Sequence, residues 1–510
     1  MDSPNHHISI WQAAAALLSI YCIATLLSRR YRPGLRNIPG PWHASFSDLD
    51  RVRSCATGLQ MQHHLRLHEK YGALVRIGPN HVSFADTDLI PTVYSIGSKF
   101  YKSAFYSLFD IQAPGGQVPT IFSVRDEERH KAIKRPVASA YSLSSLKELE
   151  PMNDDCSAIF LRKMEEYADG RDGGVVDLGM WVHWYAFDVI SSITFSNRLG
   201  FMERETDVND IIAAIEGRLV YNSIVGQAPW LHKHLFGNAL VSWVSSFIPS
   251  VAVLNSSRYI VSFATAQLQR YQNHESTTAD LKDMLDRFKR FKDGEQTMSD
   301  DELLSHATSN IFAGSDTTAA SLRAIFYYLC RTPLAYAKLQ AEIDEANNRG
   351  ALSDPVTFAE AQKLSYFQAV IKEALRMHPA VGLLLERVVP ASGAQLGIFH
   401  LPAGTVVGMN PWVAARDKSV YGADTDDFRP ERWLEASEER LKVMERNFLA
   451  FGAGARTCLG KNISLLEMGK LVPQLLRRFE FELAEPGKEW RLHCFWFVRQ
   501  TGLVCRIRRR

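Results

Sequence analysis

The hydrophobic pattern begins with one continuous apolar run near the N-terminus. From Ile8 to Ser28, "ISIWQAAAALLSIYCIATLLS", the chain carries no Asp, Glu, Lys or Arg. As a helix, this run would be about 31 Å long, which is enough to cross the hydrocarbon core of a bilayer. The run therefore predicts a transmembrane anchor over residues 8–28.

The charges that flank this run predict its orientation. Arg29, Arg30, Arg32 and Arg36 follow it, whereas no Lys or Arg precedes it. The positive-inside rule then places residues 1–7 on the lumenal side and the remaining chain in the cytosol. A cleaved signal peptide is the alternative, but it would have a basic start, a shorter apolar run and a small-residue cleavage site. A buried core helix is the other alternative.

The chain beyond the anchor reads as a hinge and one large unit. Residues 29–41 are basic and end in "IPGPW", where the prolines favour a stiff, extended segment. Residues 42–510 contain no low-complexity linker and no internal repeat. We therefore predict a single globular domain over 42–510.

Most periodic segments of this domain have helical spacing. The clearest helix begins at Ser299, where "SDDE" forms a capping box with Glu302, and runs to about Arg331 before Pro333. Strand patterns occur in "ALVRIGPNHVSFAD", with a turn at Gly78–Asn80, in "FEFELAEPG" and in "GLVCRIRRR". The pattern predicts a mainly α fold with a smaller β portion.

Charge and cysteine content narrow the function classes. The net charge is +2, with a pI near 8.1, which does not indicate nucleic-acid binding. The 7 cysteines are scattered without a C-x-x-C spacing, which argues against zinc ribbons and redox dithiols. "FGAGAR" begins like a dinucleotide fingerprint, but Thr457 stands where the last glycine is needed. The sequence therefore gives no sign of a bound nicotinamide or flavin.

The long helix contains an unfavourable stretch, "AGSDTTAA", at 313–320. Gly costs a helix about 1 kcal/mol against Ala, and Ser, Thr and Asp side chains compete for backbone hydrogen bonds. Ala313 and Gly314 would let a flat group approach the backbone, and Asp316 and Thr317 would offer a carboxyl and a hydroxyl for proton transfer. The alternative is a helix kink or a polar face turned to solvent.

Two further segments point to one loop. Glu373 and Arg376 in "EALRMHP" share a helix face, which by default is a surface pair worth about 0.2–0.5 kcal/mol. If Glu373 were buried, it could bridge to Arg432 of "FRPERW" and fix the segment that follows. That segment, "FGAGARTCLG", holds Cys458 before a helical pattern. Because helix N-termini stabilise thiolates, Cys458 is a good candidate for an axial haem ligand.

These residues together resemble one family. "FGAGARTCLG" fits F-x-x-G-x-R-x-C-x-G, the haem-ligand loop of the cytochrome P450 superfamily of haem-thiolate monooxygenases. "AGSDTT" is similar to the family's oxygen-activating stretch, "EALR" to its E-x-x-R pair, and "FRPERW" to its partner-arginine segment. "HEKYGALVRIGPN" and "VVGMNPWVAARD" resemble fungal microsomal members similar to pisatin demethylase. The resemblance covers essentially the whole chain.

The resemblance implies a cytochrome P450 fold behind an N-terminal transmembrane helix, and it implies roles for named residues. The implied cofactor is haem b, and the implied contacts are Cys458 as axial iron ligand, Arg456, Arg387, His130 and Lys134 at the propionates, Phe451 in the ligand loop, and Ala313 and Gly314 beside the oxygen pocket. The implied catalytic pair is Asp316 and Thr317, which would deliver protons. The implied structural triad is Glu373, Arg376 and Arg432. Lys134 stands where Arg is expected, and a lysine cannot form the bidentate fork.

The implied activity is insertion of one oxygen atom into an apolar organic substrate, by hydroxylation, epoxidation, demethylation or a related oxidation in fungal secondary metabolism. The implied partners are NADPH–cytochrome P450 reductase, with cytochrome b5 as a further electron donor, and the endoplasmic reticulum membrane. Leu383, Leu384, Leu385, Phe105 and Trp496 are candidates for apolar pocket walls, with ordinary core as the alternative. The rival functions are a haem-thiolate isomerase or dehydratase and a non-catalytic haem- or lipid-binding protein at the membrane surface.

Overall fold

Helices dominate the part of the chain that the computed structural model describes, residues 10–113, 116–235, 238, 243, 257–272, 283–290 and 298–510. In chain order the α-helices are α1 Ile10–Arg30, α2 Leu49–Ala56, α3 Gln60–Tyr71, α4 Ile90–Tyr94, α5 Glu127–Lys134, α6 Leu143–Lys147, α7 Glu150–Ala168, α8 Leu178–Phe195, α9 Phe201–Arg204, α10 Ile211–Val225, α11 His232–Leu235, α12 Ser257–Gln272, α13 Met284–Arg290, α14 Asp300–Arg331, α15 Pro333–Asn348, α16 Phe358–Ala361, α17 Ser365–Met377, α18 Pro411–Ala414, α19 Lys418–Tyr421, α20 Arg432–Glu435, α21 Glu438–Arg446 and α22 Lys461–Arg478.

The strands form a smaller β portion. They are β1 Leu74–Gly78, β2 His81–Phe84, β3 Tyr101–Lys102, β4 Ile111–Ala113, β5 Gly116–Val118, β6 Val175–Asp177, β7 Arg387–Val388, β8 Ala394–Leu396, β9 Phe399–Leu401, β10 Val406–Gly408, β11 Phe479–Leu483, β12 Arg491–Phe495, β13 Phe497–Thr501 and β14 Val504–Arg509. The largest sheet has the order β1-β2-β10-β7-β3, and a second has the order β11-β14-β6. The predicted hairpin at Gly78–Asn80 is the β1–β2 pair, and the two predicted C-terminal strands are β11 and β14, which pair antiparallel.

The long helix α14 is the centre of the helical part. Ser299 Oγ accepts a hydrogen bond from the Glu302 N–H at 3.3 Å, and Glu302 Oε2 accepts one from the Ser299 N–H at 2.9 Å, so the predicted capping box is confirmed. The helix ends at Arg331, as predicted, and it packs against α8, α17 and α22. Because these neighbours surround it, most of its residues from Leu303 to Leu329 are buried.

The unfavourable stretch does not interrupt α14, which is continuous from Asp300 to Arg331. The hydroxyls of Ser315 and Thr317 donate to the carbonyls of Ile311 and Ala313, four residues earlier, at 2.8 and 2.7 Å. These side chains therefore bond within the helix rather than competing with it. Gly314 meets Ile190 of α8: a Cβ there would lie 2.7 Å from Ile190 Cγ1. Close helix packing thus accounts for this glycine.

The N-terminal helix α1 has no buried residue. It is long and apolar enough to cross a membrane, with 21 residues and a mean hydropathy of 1.8. Residues 1–9 lie outside the described part of the chain, so the predicted lumenal segment and the first two residues of the predicted anchor are not seen. The helix is compatible with membrane anchoring.

The segment after α1 differs from the extended hinge that its prolines predict. Residues 31–37 form turns, and Leu35 and Ile38 are buried in a core cluster with β1 and β2. Arg76 of β1 holds this segment: its backbone N–H donates to Pro39 O at 2.7 Å and its Nη1 donates to Arg30 O at 2.9 Å. The prolines did not predict this docking, because it depends on the tertiary contact with Arg76.

Candidate active site

A cavity of about 340 Å³ lies between α14 and the cysteine loop. It brings together most of the residues singled out from the sequence: Ala313, Gly314, Thr317, His130, Lys134, Phe451, Arg456 and Cys458. Asp316 and Arg387 are not part of its lining. Of the predicted apolar walls, Leu385 and Trp496 line it, whereas Leu383, Leu384 and Phe105 border a separate small cavity.

The cysteine loop is shaped by two glycines. Gly452 has φ +69° and Gly454 has φ +63°, in the region that favours glycine, and a Cβ on Gly454 would lie 1.8 Å from Tyr94 O. The Cys458 N–H donates to Phe451 O at 2.8 Å, which closes the loop. Cys458 lies three residues before α22, and the exposed surface of its side chain faces the cavity.

The pKa of Cys458 is not lowered, although its position at a helix N-terminus led us to expect a stabilised thiolate. Burial raises the pKa of the Cys458 thiol above its ordinary value, although the N–H groups of Gly460 and Lys461 act in the opposite direction. Desolvation therefore outweighs the helix terminus. A metal ion deprotonates a coordinating thiol outright, so iron would supply what the peptide groups do not.

One edge of the cavity is basic. Arg456 donates to Glu127 through Nη2 at 2.8 Å and to Val124 O through Nη1 at 2.9 Å, and Lys134 Nζ lies 3.4 Å from Ala455 O. Burial, together with the charges of Arg456 and Lys102, lowers the pKa of His130 to about 3. His130 is therefore neutral at physiological pH, and the positive charge of this edge comes from the lysines and arginines.

Lys102 belongs to this edge, and sequence reasoning missed it. Its side chain is buried, its ammonium donates to Phe122 O, and it lies 4.2 Å from the ring centroids of both Tyr106 and Phe122. Among the described residues, no carboxylate lies within ion-pair distance of it. The signal was present in "FYKSAFYS", where a single lysine stands within an aromatic segment.

Arg387 lies just outside the lining. Its Nη1 donates to Glu386 O at 2.8 Å, and its guanidinium lies 5.0 Å from the Tyr94 ring centroid. It is buried, and its charge contributes to the lowered pKa of both His130 and Lys102. It therefore belongs electrostatically to the basic edge.

Asp316 turns away from the cavity toward α8. His183 Nε2 lies 2.7 Å from Asp316 Oδ1, and this pairing of side chains 133 residues apart was not predicted. His183 Nδ1 and Asp316 Oδ2 have no hydrogen-bond partner among the described residues. Burial lowers the pKa of His183, which favours the neutral ring with its proton on Nε2. Thr317, the next residue, faces the cavity.

The predicted triad is a buried network rather than a surface pair. Glu373 accepts from Arg376 Nη2 at 2.8 Å and from Arg432 Nε at 3.2 Å, and Trp433 Nε1 donates to its other oxygen at 2.9 Å. The side chains of Glu373 and Arg376 have no solvent exposure. Arg376 Nη1 also donates to Thr425 O at 2.7 Å. This network ties α17 to the segment that precedes the cysteine loop.

The residues around the cavity fit a haem. A cysteine and small residues of α14 face the same space, and the edge formed by Lys102, Lys134 and Arg456 suits two carboxylates. A buried ammonium such as that of Lys102 is unfavourable without an anion, and haem propionates would supply one.

The family model for cytochrome P450 matches residues 39–504, and the chain belongs to this family. Cytochrome P450 monooxygenase cicH of Emericella nidulans is 40% identical over 94% of this chain and 95% of that protein. A cytochrome P450 monooxygenase of Aspergillus terreus is 39% identical over 92% and 93%. Monooxygenase mpaDE of Penicillium roqueforti is 36% identical over 93% of this chain but 55% of its own length.

Membership settles the class of the protein. The family consists of haem-thiolate oxidoreductases, so the chain is a monooxygenase-type enzyme whose cofactor is haem with a cysteine axial ligand. The predicted family, fold class, enzyme class and cofactor are confirmed.

Proposed function

We propose that this protein inserts one atom of dioxygen into an apolar organic substrate in fungal secondary metabolism, by hydroxylation, epoxidation, demethylation or a related oxidation. One observation carries the proposal: among the 7 cysteines, Cys458 is the one that lines the cavity, and Thr317 of α14 lines the same cavity. The names of the relatives, fungal monooxygenases, support the same reaction class.

Cys458 would hold the haem iron, and Arg456, Lys134, Lys102 and Arg387 would neutralise the propionates. When bound, a haem with a thiolate ligand supplies dioxygen activation, because electron donation from the sulfur favours O–O cleavage. Phe451 and the turn at Gly452 would hold the thiolate in place. Ala313 and Gly314, on the opposite wall, are small and would let the haem approach the backbone of α14. The Glu373, Arg376 and Arg432 network would keep the loop fixed.

Proton delivery would fall to Thr317 and Asp316. The Thr317 hydroxyl donates to Ala313 O and lines the cavity, so its oxygen would accept a hydrogen bond from a proton donor there. Asp316 is held by His183 through one oxygen, and its other oxygen is buried without a hydrogen-bond partner among the described residues. His183 would keep the carboxylate oriented beside Thr317.

We further propose that residues 8–28 anchor the protein in the endoplasmic reticulum membrane, with 1–7 in the lumen, 29–41 as the connecting segment and 42–510 as a cytosolic haem-binding domain. Electrons would come from NADPH–cytochrome P450 reductase, with cytochrome b5 as a further donor. The C-terminal end of α1 is basic and is bound by Arg76. These contacts would determine the orientation of the domain relative to the membrane.

The test is reconstitution with reductase, NADPH and metabolites chosen by a spin-state shift of the haem. The expected product carries one atom from labelled dioxygen, with NADPH consumption that depends on the reductase. An isomerised or dehydrated product that needs neither NADPH nor dioxygen would overturn the proposal in favour of an isomerase. The absence of any reductase-dependent oxygen uptake with every ligand would point to a binding protein.

A further inference from the structure

One wall of the cavity is polar although it does not belong to the haem-binding set. It is formed by α10 and by the segment that joins the 3₁₀ helix Ala104–Phe109 to β4. Arg218, Asn222 and Asp110 line the cavity there, beside the apolar Phe109 and Leu219. An apolar substrate alone does not account for a cation and two oxygen acceptors on this wall.

Arg218 is a fixed, buried cation. Its side chain is 4% exposed, Nη2 donates to Leu108 O at 2.7 Å, and the guanidinium carbon lies 5.2 Å from the Tyr221 ring centroid. Burial lowers its pKa to about 10, so it stays charged at neutral pH. Because charge interactions strengthen where water is excluded, this position favours an anionic ligand group.

Asn222 and Asp110 add acceptors to the same wall. Asn222 lies one turn from Arg218 and is 1% exposed, and neither its Oδ1 nor Asp110 Oδ1 has a hydrogen-bond partner among the described residues. Leaving such a buried atom unsatisfied costs about 1–3 kcal/mol, so each gains by accepting from a ligand hydroxyl. Burial raises the pKa of Asp110, whereas a hydrogen bond from Ser123 and the charges of Arg129 and Arg218 act in the opposite direction.

We propose that the substrate is an apolar hydroxy acid, whose carboxylate binds Arg218 and whose hydroxyl donates to Asn222 or Asp110 while its apolar remainder extends toward Thr317. Arginine suits a carboxylate because its planar fork can bind both oxygens. This inference rests on the proposed function, since it assigns a substrate class to the same cavity. Arg218 and Asn222 are then specificity-determining residues of this chain.

The test uses the full-length haem-loaded protein and four probes that differ in one group: 3-hydroxy-2-naphthoate, 2-naphthoate, 2-naphthamide and methyl 2-naphthoate. Dissociation constants come from the spin-state shift of the haem absorption. We expect 2-naphthoate to bind about tenfold tighter than the amide and the ester, and the hydroxy acid to bind tighter again. In Arg218→Gln the acid-to-amide ratio should fall to about 1 with little change for the amide.

Two further variants separate the contributions. Asn222→Leu should lose the preference for the hydroxyl and keep the preference for the carboxylate. Leu219→Ala is the matched control, because Leu219 lies on the same helix and lines the cavity but carries no polar group. It should change the affinity for all four probes alike. If Arg218→Gln does not fold, Arg218→Lys replaces it and should retain only part of the acid preference.

Any one of three results would overturn the proposal. The wild type could bind the acid and the amide with equal affinity, the Arg218 variants could keep the full acid preference, or the acid could fail to bind up to about 1 mM. The carbon monoxide spectrum of each sample keeps the two proposals apart. A normal thiolate band without an acid preference contradicts the substrate class alone. Absence of that band in the wild type contradicts the proposed function itself.

Discussion

At the residue scale, Thr317 occupies the position where a hydroxyl can serve both the helix and the cavity. Its hydroxyl donates a hydrogen bond to Ala313 O, and its side chain also lines the cavity. Asp316 beside it contacts His183 instead. The two side chains thus have different surroundings: Thr317 lines the cavity, and Asp316 contacts α8.

Replacing Thr317 by Ala should uncouple NADPH oxidation from product formation. Positioned proton transfer contributes about 10²–10⁴-fold to a rate, and water can replace part of it, so we expect product per NADPH to fall about tenfold or more. Product yield and hydrogen peroxide release measure this. Ser321→Ala is the control, since Ser321 also lines the cavity and donates to a helix carbonyl. Equal coupling in Thr317→Ala and wild type would remove Thr317 from the mechanism.

His378 predicts a pH dependence of stability. It is fully buried with Nε2 3.1 Å from Val498 O, and burial lowers its pKa to about 3. The unfolded chain takes up a proton near pH 6.5 while the folded protein does not, so stability is lost as the pH falls below 6.5. Between pH 7 and 5 this residue should account for about 2 kcal/mol of that loss.

The measurement is the free energy of unfolding of wild type and His378→Gln at both pH values. The variant should lose about 2 kcal/mol less on acidification, because the other buried histidines are common to both proteins and cancel. Parallel losses in the two proteins would show that folding leaves the pKa of His378 near its ordinary value.

At the element scale, the packing of α8 on α14 positions the site. Gly314 lets Ile190 approach, and His183, two turns earlier on α8, reaches Asp316. The contact between α8 and α14 therefore determines how closely the two helices pack beside the cavity and how the Asp316 carboxylate is oriented.

Gly314→Ala should destabilise the fold by about 1–3 kcal/mol, because its methyl group would overlap Ile190. Chemical denaturation measures this, with Ile190→Ala as the second arm of a double-mutant cycle. Since Ile190→Ala removes the overlapping atoms, the cost of Gly314→Ala should disappear in that background. A cost that is the same in both backgrounds would mean that contacts other than the one with Ile190 select glycine here.

Elements with local signals were predictable from sequence. The limits of α14 follow from the capping box at Ser299 and from Pro333, and the β1–β2 hairpin follows from alternation around a Gly-Pro-Asn turn. The conformation of the segment after α1 was not predictable from sequence, because Arg76 holds this segment through tertiary contacts.

The site was predictable where one motif carries it. Cys458 was predictable from the motif around it, and Thr317 from the run of poor helix formers in which it lies. Lys102, the His183–Asp316 pair and the Glu127–Arg456 pair depend on contacts between distant parts of the chain, the last over 329 residues. Charge complementarity in a folded cavity has no local periodicity, so sequence patterns do not report it.

At the scale of the whole molecule, α1 is the one described helix that could span a membrane. Removing residues 2–28 should release the protein from membranes to the soluble fraction while leaving haem binding intact, because no residue of α1 is buried against the domain. Fractionation with a carbonate wash measures this against the full-length chain. Truncated protein that still sediments with membranes would show that the domain surface alone anchors it.

The central claim is that Cys458 ligates the haem iron. The most direct test is the carbon monoxide difference spectrum of the reduced protein, recorded for wild type, Cys458→His and the control Cys330→Ser, whose cysteine lies away from the cavity. The account predicts the red-shifted band of a thiolate-ligated ferrous complex in wild type and Cys330→Ser, and its loss in Cys458→His. An unchanged thiolate band in Cys458→His would contradict the account.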